Sequence, residues 1–366
     1  MTQLNDYKHV FPGSNTPSGF HSYYSNIISQ ENANKIFIIK GGPGTGKSSF
    51  MKKIAHYFVE KKVAVEYHHC SADPNSLDAI VIVPAKVAII DGTFPHTLDP
   101  QTPGAVDEII NFSPFWDEAP IRANKSLIIE TNQQRKHLFS KAYLYLGAAK
   151  QVYDAYGSTQ KSSLDQEAFY KMEQTIMETI FKNSTPTTSQ GKPRHLFGSA
   201  ITPNGFADYL DTIIGHTGKT YLIKDAPGAS AQHLMDLIMN RCLSLGLSPQ
   251  CYHSPIIFEK IEDIVIPELD ITITVSNEYH HARVEVTEAF DLTSCLLPDQ
   301  LALLESDLKT DHRLISQLLQ RGIETLSLAK AQHDILESYY IPHVRFNEIS
   351  PVLQSVITQI ESLILH

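Results

Sequence analysis

The chain repeats itself, and the repeat constrains its fold more than any other feature. His9–Phe20 (HVFPGSNTPSGF) sets against His195–Phe206 (HLFGSAITPNGF), with six of the twelve positions identical. The register continues: Tyr23, Ile27 and Ile28 pair with Tyr209, Ile213 and Ile214. Ile39-Lys40-x-x-Pro43-Gly44 then pairs with Ile223-Lys224-x-x-Pro227-Gly228. Further on, His69 aligns with His253, His96 with His280 and Asp154 with Asp334. A match this long reads as a tandem duplication. The 366 residues divide into a first domain at 1–182, a polar linker at 183–194 and a second domain at 195–366.

Each copy follows one plan. Thr16-Pro17 and Thr202-Pro203 read as a helix N-cap followed by proline at the first helical position, predicting helices that end near residues 29 and 214. β-rich runs follow at Lys35–Lys40 and Thr220–Lys224. Helical patterns follow those at Lys47–Lys61 and Gln232–Leu245. Strand-like apolar runs come next, at Ala79–Val83 and Val87–Ile90. Strands alternating with helices predict a parallel α/β sheet covered on both faces. The rest of each copy, from about 104 to 182 and from about 285 to 366, carries helical spacing. The patterned stretches are Lys125–Tyr156, Leu164–Phe181, Leu301–Tyr339 and Val352–Leu365. Ala168, Met172, Ile176 and Ile180 step by four and mark a buried stripe. These are helical arms, whose first role is packing; a lid or a homo-oligomer surface is the alternative.

The strongest chemical signal is Gly41-Gly42-Pro43-Gly44-Thr45-Gly46-Lys47-Ser48, which fits G-x-x-x-x-G-K-[ST] between a predicted strand and a helix. Glycines let successive N–H groups turn inward as an anion nest, and the helix presents its positive end to phosphates. Lys47 would reach the β- and γ-phosphates, Ser48 would be a Mg²⁺ ligand, and Ser49 would add an α-phosphate contact. Val87–Asp91 is an apolar strand ending in a carboxylate, as a Walker B element should, so Asp91 is the second candidate for Mg²⁺ and for catalysis. Gly92 follows it where many ATPases carry Glu, so any water-activating base must come from elsewhere.

The second copy reads Asp225-Ala-Pro-Gly-Ala-Ser-Ala-Gln232. Ala231 replaces the lysine, Gln232 the hydroxyl residue and Val275 the Asp91 carboxylate, while Asp225 adds a negative charge. This copy is expected to be a degenerate site with a structural or regulatory role. Arg241 or Arg283 would be its contribution to the first site, if it makes one. His69, Cys70, Asp73, His96 and Asp99 fall on loops at the sheet edge where ligands bind in open α/β folds. His69 and His96 persist in the degenerate copy, which favours loop anchoring. Asp73 and Asp99 do not persist, and are the better candidates for substrate or water contact, though first of all solvated carboxylates. His9, Thr16, Pro17, Gly19 and Phe20 occur in both copies, which favours capping and packing over an adenine pocket.

The doubled layout, with GGPGTGKSS in one copy and HLFGSAITPNGF opening the other, resembles a bacterial family of tandem-duplicated P-loop ATP-binding proteins. The resemblance covers essentially the whole chain. It implies two tandem P-loop NTPase-like parallel-sheet α/β domains, each with an appended helical arm, and ATP and Mg²⁺ as ligands. Relatives with an intact loop in both copies would make Asp225–Gln232 a departure.

Composition narrows the rest. Hydrophobic residues at 42% and charged residues at 19% exclude overall disorder. A net charge of −10 with no dense basic run argues against nucleic acid. Four cysteines without a CxxC pair give neither a disulfide framework nor a zinc ribbon. The longest apolar stretch, broken by Pro84 and Lys86, is too short to cross a membrane, and the first residues lack a signal-peptide pattern. A cytoplasmic protein is expected, with ATP and an unknown small-molecule or protein partner. The leading activity is a Mg-dependent ATPase that moves its helical arms. The alternatives are a nucleotide or small-molecule kinase and a non-catalytic ATP-dependent switch. Only eight arginines leave few guanidinium clamps for a phosphate acceptor, which counts against the kinase.

Overall fold

The structure, a computed structural model, describes residues 7–94, 97–182, 184–188 and 190–364. The first half contains β1 (Tyr7–Val10), β2 (Gly13–Thr16), β3 (Gly19–Ser22), β4 (Lys35–Lys40), α1 (Lys47–Glu60), β5 (Val65–His69), β6 (Leu77–Ile82), β7 (Val87–Asp91) and β8 (Asp107–Asn111). Its arm is α2 (Glu118–Ala123), α3 (Lys125–Lys161) and α4 (Gln166–Phe181). The second half repeats this as β9 (Arg194–Phe197), β10 (Ser199–Thr202), β11 (Gly205–Asp208), β12 (Lys219–Lys224), α5 (Ala231–Ser244), β13 (Gln250–His253), β14 (Ile261–Ile266), β15 (Ile271–Ser276) and β16 (Glu288–Asp291). Its arm is α6 (Pro298–Ser338) and α7 (Ser350–Ile364).

Each half builds a six-stranded sheet, ordered β1-β5-β6-β7-β4-β8 and β9-β13-β14-β15-β12-β16. The expected all-parallel sheets are mixed: β6 runs against β5 and β7, and β14 against β13 and β15. Chain length is the reason. A parallel crossover takes a dozen or more residues, whereas residues 83–86 alone join β6 to β7 and residues 267–270 join β14 to β15. Both connections turn on a non-glycine residue at positive φ, Lys86 at 51° and Asp270 at 56°.

The predicted N-terminal helices are also corrected. Thr16-Pro17-Ser18-Gly19 is the turn of the β2–β3 hairpin, and Thr202-Pro203-Asn204-Gly205 that of β10–β11. Proline takes the first corner, and the threonine hydroxyl accepts from the N–H two residues on (3.2 Å in both). Gly19 and Gly205 leave at φ 107° and 106°, a conformation that costs glycine little. Threonine before proline suits a turn as well as a cap. Only a short 3₁₀ turn follows each hairpin, at Tyr24–Asn26 and Leu210–Thr212.

In the first half β4 is buried on both faces. Phe37 and Ile39 pack against Phe50, Met51, Ile54 and Phe58 of α1. Ile36 and Ile38 pack against Tyr24 and Ile27 on the other face. Each fully buried side chain of this size contributes about 1.5–3 kcal/mol.

The arms are exchanged. Phe169, Ile176, Ile180 and Phe181 of α4 belong to the core of the second half, beside Leu234 and Ile238 of α5. Val356, Ile357 and Ile360 of α7 belong to the core of the first half. The long helices α3 and α6 run antiparallel between the halves. Arg135 meets His333 at one end of this pair, and Leu146 meets Gly322 nearer its middle. A Cβ on Gly322 would lie 2.6 Å from Leu146, so glycine sets this close approach. The surface offered for a homo-oligomer is therefore used, at least in part, within the chain. The segment read as linker ends in structure, because Arg194 opens β9. Its guanidinium donates to Glu66 Oε2 (2.9 Å) and to the carbonyls of Asn26 and Ile27 (2.8 and 2.7 Å), tying the halves together. Among the described residues, no helix is long and apolar enough to cross a membrane.

Candidate functional site

Residues 41–46 connect β4 to α1 as a glycine-rich loop. Gly44 and Gly46 adopt φ of 64° and 88°, which turns the backbone toward the start of α1. Within the loop the Thr45 hydroxyl donates to the Gly42 carbonyl (2.8 Å), and Lys47 Nζ donates to the same oxygen (2.7 Å). Parallel pairing of β4 with β7 places Asp91 opposite Ile39, one step from the loop. Its Oδ2 lies 3.6 Å from Lys47 Nζ, and its Oδ1 accepts from the backbone N–H of Thr93 (3.0 Å). Ser48, in the first turn of α1, accepts from the Leu77 N–H through Oγ (3.0 Å). Lys47 and Ser48 from the start of α1 and Asp91 from the end of β7 thus meet around one loop. Pro43 is half-buried within it, and Ser49 is exposed on α1.

The loop is covered by the arm of the other half. Cβ atoms added to Gly42, Gly44 and Gly46 would meet Tyr340 (3.2 Å), Ile341 (2.7 Å) and Phe346 (3.1 Å) respectively. Glu337, in the last turn of α6, accepts from the Gly44 N–H through Oε1 (3.1 Å). His333 lies 3.5 Å from the same oxygen. The hydrogen bond from His333 holds the Glu337 carboxyl below its ordinary range, against the opposing effect of burial.

Sequence reasoning missed Glu337, which stands 293 positions from Gly44. A signal existed. The Asp154–Asp334 register carried three residues on pairs Glu337 with Gly157, so this carboxylate, like Lys47, belongs to one copy only. The corresponding ion pairs Lys150–Asp154 and Lys330–Asp334 support that register.

The degenerate loop is built differently. The Asp225 carboxylate accepts from the Ala231 N–H (2.9 Å) and the Ser230 hydroxyl (2.8 Å). It thus fills the anion nest at the start of α5 with a group of its own. Gly157 of α3 packs directly on Gly228, where a Cβ on Gly157 would lie 2.9 Å from its Cα. Gln160 Nε2 donates to the Pro227 carbonyl (3.1 Å). Val275 stands opposite Ile223 just as Asp91 stands opposite Ile39.

The remaining sequence candidates scatter. Asp73 lies 3.6 Å from Lys330 of α6, and Asp99 pairs with Lys40 (3.0 Å) while largely exposed. Burial raises the Cys70 thiol well above its ordinary range. His69 Nε2 faces His9 Nδ1 at 2.7 Å and His69 stacks on Tyr209 of the other half; His253 and His195 repeat the contact at 2.8 Å. His96 lies outside the described residues. His280 lies between Glu262 (3.2 Å) and Asp263 (2.9 Å); burial would lower its imidazole, but Asp263 and then Glu262 outweigh burial and hold it at about 9. Arg241 lies in the last turn of α5 and Arg283 is exposed, whereas the side chain that reaches the first loop comes from α6.

No group of three or more His, Cys, Asp or Glu residues suited to a metal occurs among the described residues. Mg²⁺ does not require one: a hydroxyl and one carboxylate suffice when substrate phosphates and water complete its shell, and Ser48 with Asp91 match that donor set. A cavity of about 500 Å³ opens beside the loop, bounded by Gly41, Gly42, Thr93, Trp116 and Tyr340. Compared with known proteins, the chain matches no family model, no curated protein and no solved structure.

Proposed function

We propose that the first half is a P-loop NTPase domain that binds Mg·ATP and hydrolyses it, and that the second half is its degenerate, regulatory twin. One observation carries the reading: the glycine loop, Lys47, Ser48 and Asp91 converge, with Lys47 Nζ 3.6 Å from Asp91 Oδ2. In this reading the N–H groups of residues 42–48 bind the phosphates, and Lys47 leaves the Gly42 carbonyl to reach the β- and γ-oxygens. Ser48 and Asp91 would hold Mg²⁺, Asp91 through water. The ion would neutralise charge developing on the transferred phosphoryl group. The same loop in the second half keeps its own carboxylate in the nest and lacks the lysine, so it would not take a triphosphate.

Glu337 gives the site its link to the arm. Its carboxylate occupies a loop N–H that a phosphate oxygen needs, so nucleotide entry requires the end of α6 to move. A kinase is the second reading, favoured by the 500 Å³ cavity beside Gly42 and Thr93, which has room for an acceptor. ADP release from Mg·ATP, with and without a panel of metabolites and nucleotides, separates the readings. Turnover without acceptor that is lost in Lys47→Ala supports the ATPase. Turnover only with an acceptor supports the kinase. Binding without turnover leaves a switch.

A further inference from the structure

Another cavity lies in the second half, over the loop that has lost its lysine. It measures about 580 Å³, the size of a small-molecule site. Tyr153, Phe169 and Ile257 supply an apolar wall, while Lys161, Asp225 and Lys260 supply charge. Two of the six, Tyr153 and Lys161, come from α3, and Phe169 comes from α4. The exchanged arm therefore builds the cavity with the second half.

Lys260 is the unusual member. Its residue is 2% exposed, it lines the cavity, and its Nζ has no hydrogen-bond partner. A buried amino group with no acceptor weakens the folded state, and a bound acceptor would relieve that cost. Lys260 immediately precedes β14, in the position that Ser76 holds before β6. In the first half the residue after that position touches the first turn of α1 through the bond from Leu77 N–H to Ser48. The second half thus lost the loop lysine at Ala231 and carries another amino group on the neighbouring segment.

We propose that this cavity binds a compact molecule with one carboxylate and an apolar body, its carboxylate seated on Lys260. A polyphosphate does not suit it. Asp225 already holds the Ser230 and Ala231 donors, and Asp154 and Asp236 at the wall repel multiply charged anions. A single carboxylate gains a charge-assisted bond from Lys260, and an aromatic or aliphatic remainder fits Tyr153, Phe169 and Ile257. The site is independent of nucleotide binding in the first half.

The competing account places Lys260 as a neutralising partner for the buried Glu262, Asp263 and His280. Lys260→Met in the full chain separates the two. Methionine fills the same volume without the amino group, so a ligand-directed lysine predicts a raised Tm, and a lysine that balances buried acids predicts a lowered one. Binding is read by saturation-transfer NMR with 3-phenylpropionate and, as its uncharged match, 3-phenylpropionamide. The acid should bind and the amide should not. Lys260→Met should weaken the acid by about tenfold or more. Gln232→Trp, which fills the cavity from an exposed wall position and leaves Lys260 in place, should also abolish binding. Lys47→Ala should leave it intact. A fall in Tm for Lys260→Met, equal binding of acid and amide, or failure of the acid to bind overturns the proposal.

Discussion

Replacing Glu337 by glutamine tests the coupling of the glycine loop to the arm. The substitution keeps an acceptor of the same shape for the Gly44 N–H at 3.1 Å and removes one negative charge. A bound triphosphate must displace that carboxylate and then share the site with it. At a separation of ~6 Å and an effective dielectric constant of about 20, each phosphate charge is repelled by about 3 kcal/mol. The side chain is 32% exposed, and solvent screening reduces this to roughly 1–2 kcal/mol. Glu337→Gln should therefore tighten ATP binding by about 5–30-fold. Titration with a fluorescent ATP analogue at fixed Mg²⁺ measures it. The advantage over the unaltered protein should shrink as salt rises, because screening removes its source. Turnover at saturating ATP should stay within a few-fold. Unchanged or weaker binding refutes the gate. A fall in turnover of about 100-fold or more with unchanged affinity would instead make Glu337 the missing base.

Other predictions follow from named contacts. Lys47→Ala should reduce ATP affinity by at least about 100-fold, while Ala231→Gly and Gln232→Ala leave it unchanged; calorimetric titration checks this, and equal losses would reject the asymmetric pair of sites. Arg194→Ala should destabilise the fold by about 1.5–3 kcal/mol in urea unfolding, since it removes the bidentate partner of the buried Glu66 carboxylate and leaves it Lys8 and His68. His280 sets a pH dependence. Its folded value of about 9 lies above the unfolded value near 6.5, so its contribution is fully present below pH 6.5 and is lost as pH rises through about 9. The His280 contribution should fall by up to about 1.4 kcal/mol per unit above pH 6.5. The stability difference between the protein and His280→Asn should therefore narrow as pH rises from 6.5 toward 9, a comparison that cancels the six described histidines whose values burial lowers.

The loop, its flanking strand and helix and the strand ending in Asp91 could be read because each rests on local chemistry. Glycine spacing, an apolar run and a carboxylate at its end all lie within a few residues of one another. The duplication was equally readable, because two copies of one pattern need no knowledge of contacts. The hairpins at Thr16-Pro17 and Thr202-Pro203 were misread because proline after threonine satisfies a helix start and a turn corner alike. The distance to the glycine three residues beyond threonine was the deciding cue. The antiparallel β6 was legible in principle, since four residues cannot carry a parallel crossover. The exchange of arms was not legible. The stripe Phe169, Ile176, Ile180 shows that α4 buries a face but not which sheet it covers, and the two sheets offer nearly equivalent partners. Glu337 was hidden for the same reason, because its partner Gly44 is fixed only by where α6 ends.

The reciprocal exchange of arms has an evolutionary consequence. Two identical chains joined by swapped helices would display every substitution twice, so a change that silenced one loop would silence both. Fusion into one polypeptide lifts that restriction while the helices keep the halves bound. The replacement of lysine by Ala231, and of Asp91's counterpart by Val275, can then accumulate on one side alone. The side without the lysine still covers the other's glycine loop, because α6 and the turn after it carry Glu337, Tyr340 and Ile341 there. Loss of the lysine and the carboxylate in one copy and their retention in the other are thus compatible. The second copy persists as the part of the first copy's pocket that the first copy does not encode.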